Sequence, residues 1–426
     1  LKMEITSHAS LLSGEITIPA SKSHTVRAVI IGALAPGESV VEAPLVSLDT
    51  KSAVAAVRAF GAAVVMTPET WTIRGVGGVP NVPDTVIDVG NSGTTLYMIM
   101  GTAALANGWT VITGDSQIRK RTASPLIEAL GGLGVEIFST RGNGMAPIAV
   151  RGRMNGGRTS VAGISSQYVS SLLLACPLAV NDTEITITML NERPYVHMTL
   201  DWLATQEIQV SAEDDLTHIS IPGGQSYRAF HRRIPGDFSS ASFPLCAAAL
   251  AGGRVVLKGL EMTDSQGDKK VVDILAGMGS VVERGPDWVA VSGGQLRGID
   301  VDMNEIPDAL PVLAVTACFA EGTTRLYNVA QARIKETDRI AVMARELTRL
   351  GADVTELPDG LEIRGTGLSG GRVSGHGDHR IVMAMTVAGM ASDNPVTVDT
   401  AEAADITFPG FWDKMRSIGG EIETHE

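Results

Sequence analysis

Six short segments of this chain place cations and small polar residues where a helix should begin. Pro19-Ala20-Ser21-Lys22-Ser23-His24-Thr25-Val26-Arg27 runs into the apolar stretch Ala28 to Leu34. A helix start there leaves backbone N–H groups free beside Lys22 and Ser23, with Arg27 one turn further along the same face. Asp88-Val89-Gly90-Asn91-Ser92-Gly93-Thr94-Thr95 is a glycine-rich loop before the apolar stretch Leu96 to Leu105. Its backbone amides can approach a phosphate or carboxylate closely, but it lacks the lysine of a nucleoside-triphosphate loop. Arg119-Lys120-Arg121, Ser165-Ser166-Gln167-Tyr168, Lys335-Glu336-Thr337-Asp338-Arg339 and Gly377-Asp378-His379-Arg380 stand at further helix starts. Any one of these is also what serine capping, a solvated lysine or a plain glycine turn would produce. Their recurrence carries more, because a cation at the positive end of a helix dipole is unfavourable. An anionic ligand would compensate that cost.

The elements that must position these segments repeat along the chain. Phe60-Gly61-Ala62-Ala63-Val64, Leu133-Gly134-Val135-Glu136-Ile137, Met278-Gly279-Ser280-Val281-Val282, Leu350-Gly351-Ala352-Asp353-Val354 and Ile418-Gly419-Gly420-Glu421-Ile422 share one pattern. Gln206-Glu207-Ile208-Gln209-Val210 is a degenerate sixth copy. The key positions 61, 134, 207, 279, 351 and 419 are 73, 73, 72, 72 and 68 residues apart. Each copy reads as an amphipathic helix, a glycine that can take the left-handed conformation past its C-terminus, and a β-branched strand. Alternating helix and strand gives an α/β protein. Six units divide most simply into two domains of three: residues 1–20 with 234–426 form a discontinuous domain, and 21–233 a continuous one. The two crossings are expected at the strand Leu12 to Pro19 and at Ile234-Pro235-Gly236-Asp237.

Composition narrows the partners. Among 426 residues, aromatics are only 4% and the net charge is -13, which disfavours both a nucleic-acid surface and base-stacking platforms. No apolar run approaches the roughly 20 residues of a membrane helix, and no signal-peptide pattern opens the chain, so a cytoplasmic protein without a membrane partner is expected. Cys176, Cys246 and Cys318 sit at unrelated spacings among small or apolar residues, and are expected as packed thiols rather than a disulfide or metal site. The chain starts at Leu1, and Met3 is expected as the native beginning.

Taken in order, Lys22-Ser23…Arg27, Gly90-Asn91-Ser92-Gly93-Thr94, Ser165-Ser166-Gln167, Pro307-Asp308, Lys335-Glu336-Thr337-Asp338-Arg339 and Gly377-Asp378-His379-Arg380 resemble the enolpyruvyl transferases over the full length of the chain. The resemblance implies two similar domains, each of three βαβαββ repeats in an inside-out α/β barrel, with the active site in the interdomain cleft. It implies a monomer that needs no metal or organic cofactor and joins the 5-hydroxyl of shikimate 3-phosphate to C2 of phosphoenolpyruvate. A tetrahedral intermediate then expels phosphate. By motif position, Lys22, Asn91, Gly93, Thr94, Arg121, Gln167, Arg339 and Arg380 would hold phosphoenolpyruvate. Ser23, Arg27, Ser165, Ser166, Gln167, Tyr195, Asp308, Gln331 and Lys335 would hold the acceptor. Asp308 and Glu336 would be the acid/base pair, with Lys22 assisting at the phosphate. Gly93 stands where a methyl group would crowd the phosphoenolpyruvate mimic glyphosate.

The sister activity on UDP-N-acetylglucosamine uses a cysteine in the loop matching Val111 to Ser124, and none is present there. Four positions depart from the shikimate pattern: Tyr97 replaces an Arg, Glu192 a Ser near the acceptor's phosphate, Gln331 an Asn, and Ile406 a Lys. A carboxylate about 4 Å from a phosphate costs several kcal/mol at low effective dielectric unless paired. Glu192 is therefore expected either to pair with Arg193 or to turn outward. The alternatives left open are a transferase for an unphosphorylated or different cyclic alcohol, and a non-catalytic anion-binding relative.

Overall fold

The computed structural model describes residues 3–425, so the expectation about the chain's beginning lies outside the described residues. Contacts divide the chain into two compact units. One runs from the N-terminus to Pro19 and resumes at Pro235, and the other is Ala20–Ile234. Each has its own apolar core, centred on residues such as Phe243, Leu313, Met343 and Met385 in the first and Ile30, Trp71, Ile99 and Leu173 in the second.

Six four-stranded sheets, three in each unit, occur among the described residues. One shows the plan of all: Ile87–Asp88 pairs parallel with Trp109–Thr113, which pairs antiparallel with Ile148–Arg151, and Glu136–Ser139 closes the other side. A parallel pair requires a crossover, here the helix Gly93–Ala103, and the helix Ser124–Gly132 precedes the final hairpin. The repeat is therefore βαβαββ. Three sheets include a strand from far along the chain. Gly14–Thr17 pairs parallel with Arg254–Lys258, and His231–Arg233 pairs parallel with Glu38–Glu42. The N-terminal strand, Glu4–Ser7, is likewise held between Val396–Val398 and Ile422–His425.

The two helices of each repeat differ for a reason visible in their side chains. The crossover helices Lys22–Leu34, Gly93–Ala103, Ser166–Ala175, Phe238–Leu250, Leu310–Ala317 and His379–Ala391 are buried almost all round. The second helices are one-sided. In Arg339–Arg349, Ile340, Met343 and Leu347 fall on one face by their i, i+3, i+4 spacing. Each second helix ends at the expected left-handed residue. Gly61, Gly134, Gly279, Gly351 and Gly419 have φ of +98°, +83°, +116°, +89° and +102°. The degenerate copy keeps the geometry without the glycine: Glu207 has φ +56°, at a cost of about 1–2 kcal/mol.

Cys176, Cys246 and Cys318 are buried free thiols, and burial pushes each pKa up to about 12. No helix among the described residues is long and apolar enough to cross a membrane.

Candidate active site

Polar side chains gather at the starts of the crossover helices because those helices are capped there. Ser21, Ser92, Ser165, Asp237 and Asp378 each accept a backbone N–H in the first turn. The cap fixes the neighbouring functional residue to within one bond of a rigid element.

In the unit Ala20–Ile234, Lys22 pairs with Asp49 at 3.1 Å. The Asp49 carbonyl accepts from the Thr95 hydroxyl at 3.4 Å, which ties Lys22 to the glycine loop. Gly93 lies against Arg121: a Cβ at Gly93 would overlap Nη1 and stand 3.1 Å from Cζ. Thr94 is buried beside it, and Arg121 is itself 8% exposed. Asn91 donates to Asp115 at 2.6 Å and Gln117 at 2.7 Å, in the loop that leads to Arg121. The Asn91 Oδ1 and the Gln167 Oε1 are buried without a hydrogen-bond partner.

On the acceptor side of the expected set, Ser165 caps its helix, with its hydroxyl accepting the Gln167 N–H at 3.4 Å. Ser166 donates its hydroxyl to Glu192 at 2.8 Å. Glu192 does not turn outward as one of the two expectations had it. It is 2% exposed, in a left-handed conformation at φ +57°. Its carboxylate takes the proton that Ser166 would otherwise offer to a ligand.

Arg27, expected at the acceptor, is held by protein groups. Its guanidinium donates to Thr199 Oγ1 at 2.9 Å, the Ser23 carbonyl at 3.0 Å, Ser170 Oγ at 3.2 Å and the Tyr195 carbonyl at 2.9 Å. Four of its five N–H groups are thus spent on the protein, binding the Lys22 helix to the helix Arg193–Thr205 that carries Tyr195. Burial lowers its pKa to about 10, opposed by Tyr195. Tyr97 occupies no ligand-facing role of an arginine: its hydroxyl donates to the Thr122 carbonyl at 3.0 Å.

In the other unit the centre is Arg339, which has no exposed surface. It donates to Asp378 through Nε at 2.9 Å and Nη2 at 3.1 Å, to Asp308 through Nη1 at 2.8 Å and to Glu336 through Nη2 at 2.6 Å. Burial by itself would lower its pKa, but Asp378, Glu336 and Asp308 more than reverse that and raise it. Arg380 donates to the Ser239 carbonyl at 2.9 Å and stands 3.5 Å from Asp308, with its Nε buried and without a hydrogen-bond partner. Its pKa is raised in spite of burial, chiefly by Asp308 and Asp237. Neighbouring His379 is pushed down to about 3 by burial, so the imidazole is neutral.

Lys335 and Glu336 precede the helix that Arg339 begins, with Asp338 as its cap. Gln331 is buried, and its amide donates to the Asn304 carbonyl at 2.9 Å, which ties its turn to a loop 27 residues earlier. Ile406 packs against the apolar core.

The anionic compensation expected from a ligand is supplied in large part by the protein itself, by Asp49 for Lys22 and by three carboxylates for Arg339. Asp49 and the role of Asp378 were missed in the sequence. Asp378 has a local signal, an Asp one residue before a predicted helix start; Asp49 has none that points to Lys22.

Comparison with known proteins gives these positions a context. The family model for EPSP synthase (3-phosphoshikimate 1-carboxyvinyltransferase) matches residues 7–415. A 3-phosphoshikimate 1-carboxyvinyltransferase of Ruminiclostridium cellulolyticum is 51% identical, over 97% of this chain and 97% of the relative. One of Acetivibrio thermocellus is 50% identical over 98% of each. A solved structure of EPSP synthase from Acinetobacter baumannii superposes with a TM-score of 0.84 at 29% identity, covering 100% of both chains. Likeness that runs nearly end to end, in sequence and in fold, joins the repeats and the helix-start residues in one assignment: the chain belongs to the EPSP synthase family.

Proposed function

We propose that the protein transfers the enolpyruvyl group of phosphoenolpyruvate to the 5-hydroxyl of shikimate 3-phosphate, as a 3-phosphoshikimate 1-carboxyvinyltransferase. The observation that carries the residue roles is the Arg339 cluster, in which Asp308 and Glu336 share one buried guanidinium beside Arg380.

In the addition step the acceptor oxygen bonds to C2 of phosphoenolpyruvate, its proton goes to a carboxylate, and C3 gains a proton. In the elimination step C3 gives up a proton, the C2–O bond to phosphate breaks, and inorganic phosphate leaves. Both steps need a base and an acid. Asp308 and Glu336 each accept from Arg339: in the addition one of the pair gives C3 the proton it carries while the other takes the acceptor's proton, and in the elimination the first takes the C3 proton back and the other passes its proton to the leaving phosphate. Lys22, Arg121, Arg339 and Arg380 are the cations for the carboxylate and phosphate of phosphoenolpyruvate, bidentate arginine being well matched to both. Asn91, Gly93, Thr94 and Gln167 complete that set. Ser23, Ser165, Ser166, Tyr195, Gln331 and Lys335 serve the acceptor, with Arg27 bracing Ser23 and Tyr195. The closeness of Gly93 to Arg121 means that a methyl group there displaces the guanidinium, so the same contact would govern glyphosate.

A second acceptor is favoured by one feature, the Ser166 hydroxyl committed to buried Glu192, which suits an unphosphorylated ring. Phosphate release, measured with shikimate 3-phosphate and with shikimate in parallel, separates the two. Fast release with the phosphorylated acceptor alone is expected; faster release with shikimate would transfer the assignment to a specialised enzyme.

A further inference from the structure

Two tyrosine hydroxyls converge on one backbone carbonyl. Tyr97 donates to the Thr122 oxygen at 3.0 Å and Tyr168 donates to the same oxygen at 2.8 Å. The rings meet edge to face, with centroids 5.0 Å apart at 85°. Tyr97 is 5% exposed and Tyr168 1%. A carbonyl has two lone pairs, so this arrangement fills the oxygen's capacity.

The three segments joined at that oxygen are those assigned to phosphoenolpyruvate. Tyr97 lies one helical turn after Gly93, on the same face. Tyr168 follows Gln167 directly, and Thr122 follows Arg121. The two helices are also fastened further along, where Ser171 Oγ donates to the Tyr97 carbonyl at 2.7 Å and accepts the Gly101 N–H at 3.2 Å. Their separation is thus fixed independently, and the phenols decide where the Arg121–Thr122 strand-like segment sits between them.

We infer that Tyr97 and Tyr168 are positioning residues for phosphoenolpyruvate, holding the Arg121 guanidinium over Gly93 through the Thr122 carbonyl. The inference rests on the proposed function. The tyrosine replaces a cation with a neutral donor, so it sharpens placement of one arginine without adding charge.

The test compares wild type with Tyr97→Phe, Tyr168→Phe and the double variant, which keep the ring packing and remove only the hydroxyls. Loss of one such bond is expected to raise the KM for phosphoenolpyruvate about fivefold, and loss of both by more than either alone. KM for the acceptor and kcat should stay within about twofold. A merely structural pair would instead lower Tm, or raise both KM values together, with no selective effect on phosphoenolpyruvate; either result overturns the inference. Calorimetric titration of phosphoenolpyruvate reads the same ranking without turnover, and an equal Kd for all four proteins would also overturn it. Absence of wild-type turnover would count against the proposed function, and the titration would still decide the role of the two hydroxyls.

Discussion

Arg27 and Arg339 are completely buried cations, one in each unit, and the protein holds them in opposite ways. Arg27 is bonded to two carbonyls and two hydroxyls, all neutral, and burial brings its pKa down to about 10. Arg339 is bonded to three carboxylates, which overcome burial and raise its pKa. The difference lies in where net charge is left. Around Arg27 only neutral oxygens accept its hydrogen bonds. Around Arg339 three carboxylates outnumber its own charge and that of Arg380, which stands 3.5 Å from Asp308. One clamp is neutral and the other ionic.

The comparison can be broken most directly at Arg339. Arg339→Met leaves Asp308, Glu336 and Asp378 together without their guanidinium, and a stability loss of about 3–5 kcal/mol is expected in urea denaturation. Phosphate release should fall by at least about 100-fold, the scale of removing one transition-state donor. Arg27→Met breaks bonds to neutral acceptors and also removes a desolvated charge. A smaller loss, about 2 kcal/mol, is expected by the same denaturation. If Arg27→Met proved the more destabilising, the contrast between neutral and ionic clamping would not hold.

A finer test uses His379, beside Arg380. Its folded pKa of about 3 lies below the ordinary 6.5, so the neutral ring contributes stability above pH 6.5 that is lost as pH falls toward 3. The slope from this one group is at most about 1.4 kcal/mol per pH unit. Denaturation of wild type and His379→Asn between pH 7 and pH 5 should show the variant losing less. Parallel curves would mean that the imidazole is not excluded from its charged form.

Several features were readable before any coordinates because they depend on neighbours in the chain. The left-handed residue after each second helix is one; even Glu207, where glycine is missing, adopts it. The polar residues at crossover-helix starts are another, since a cap acts over two or three residues. The hydrogen bonds of Arg27 and Glu192 were not readable there, for the opposite reason. The partners of Arg27, Ser170 and Thr199, come from helices more than a hundred residues away, and Ser166 reaches Glu192 from the preceding crossover helix. Motif position gave the residue and not the direction of its hydrogen bonds.

The sequence by itself determined the six-fold repeat, the α/β alternation and the gathering of cations at helix starts, because hydrophobic period, capping and glycine geometry are local. Only the tertiary structure decided how each buried charge is balanced: Asp49 for Lys22, three carboxylates for Arg339 and neutral oxygens for Arg27. Burial makes every unmet hydrogen bond expensive, and which groups meet it depends on how helices from successive repeats pack.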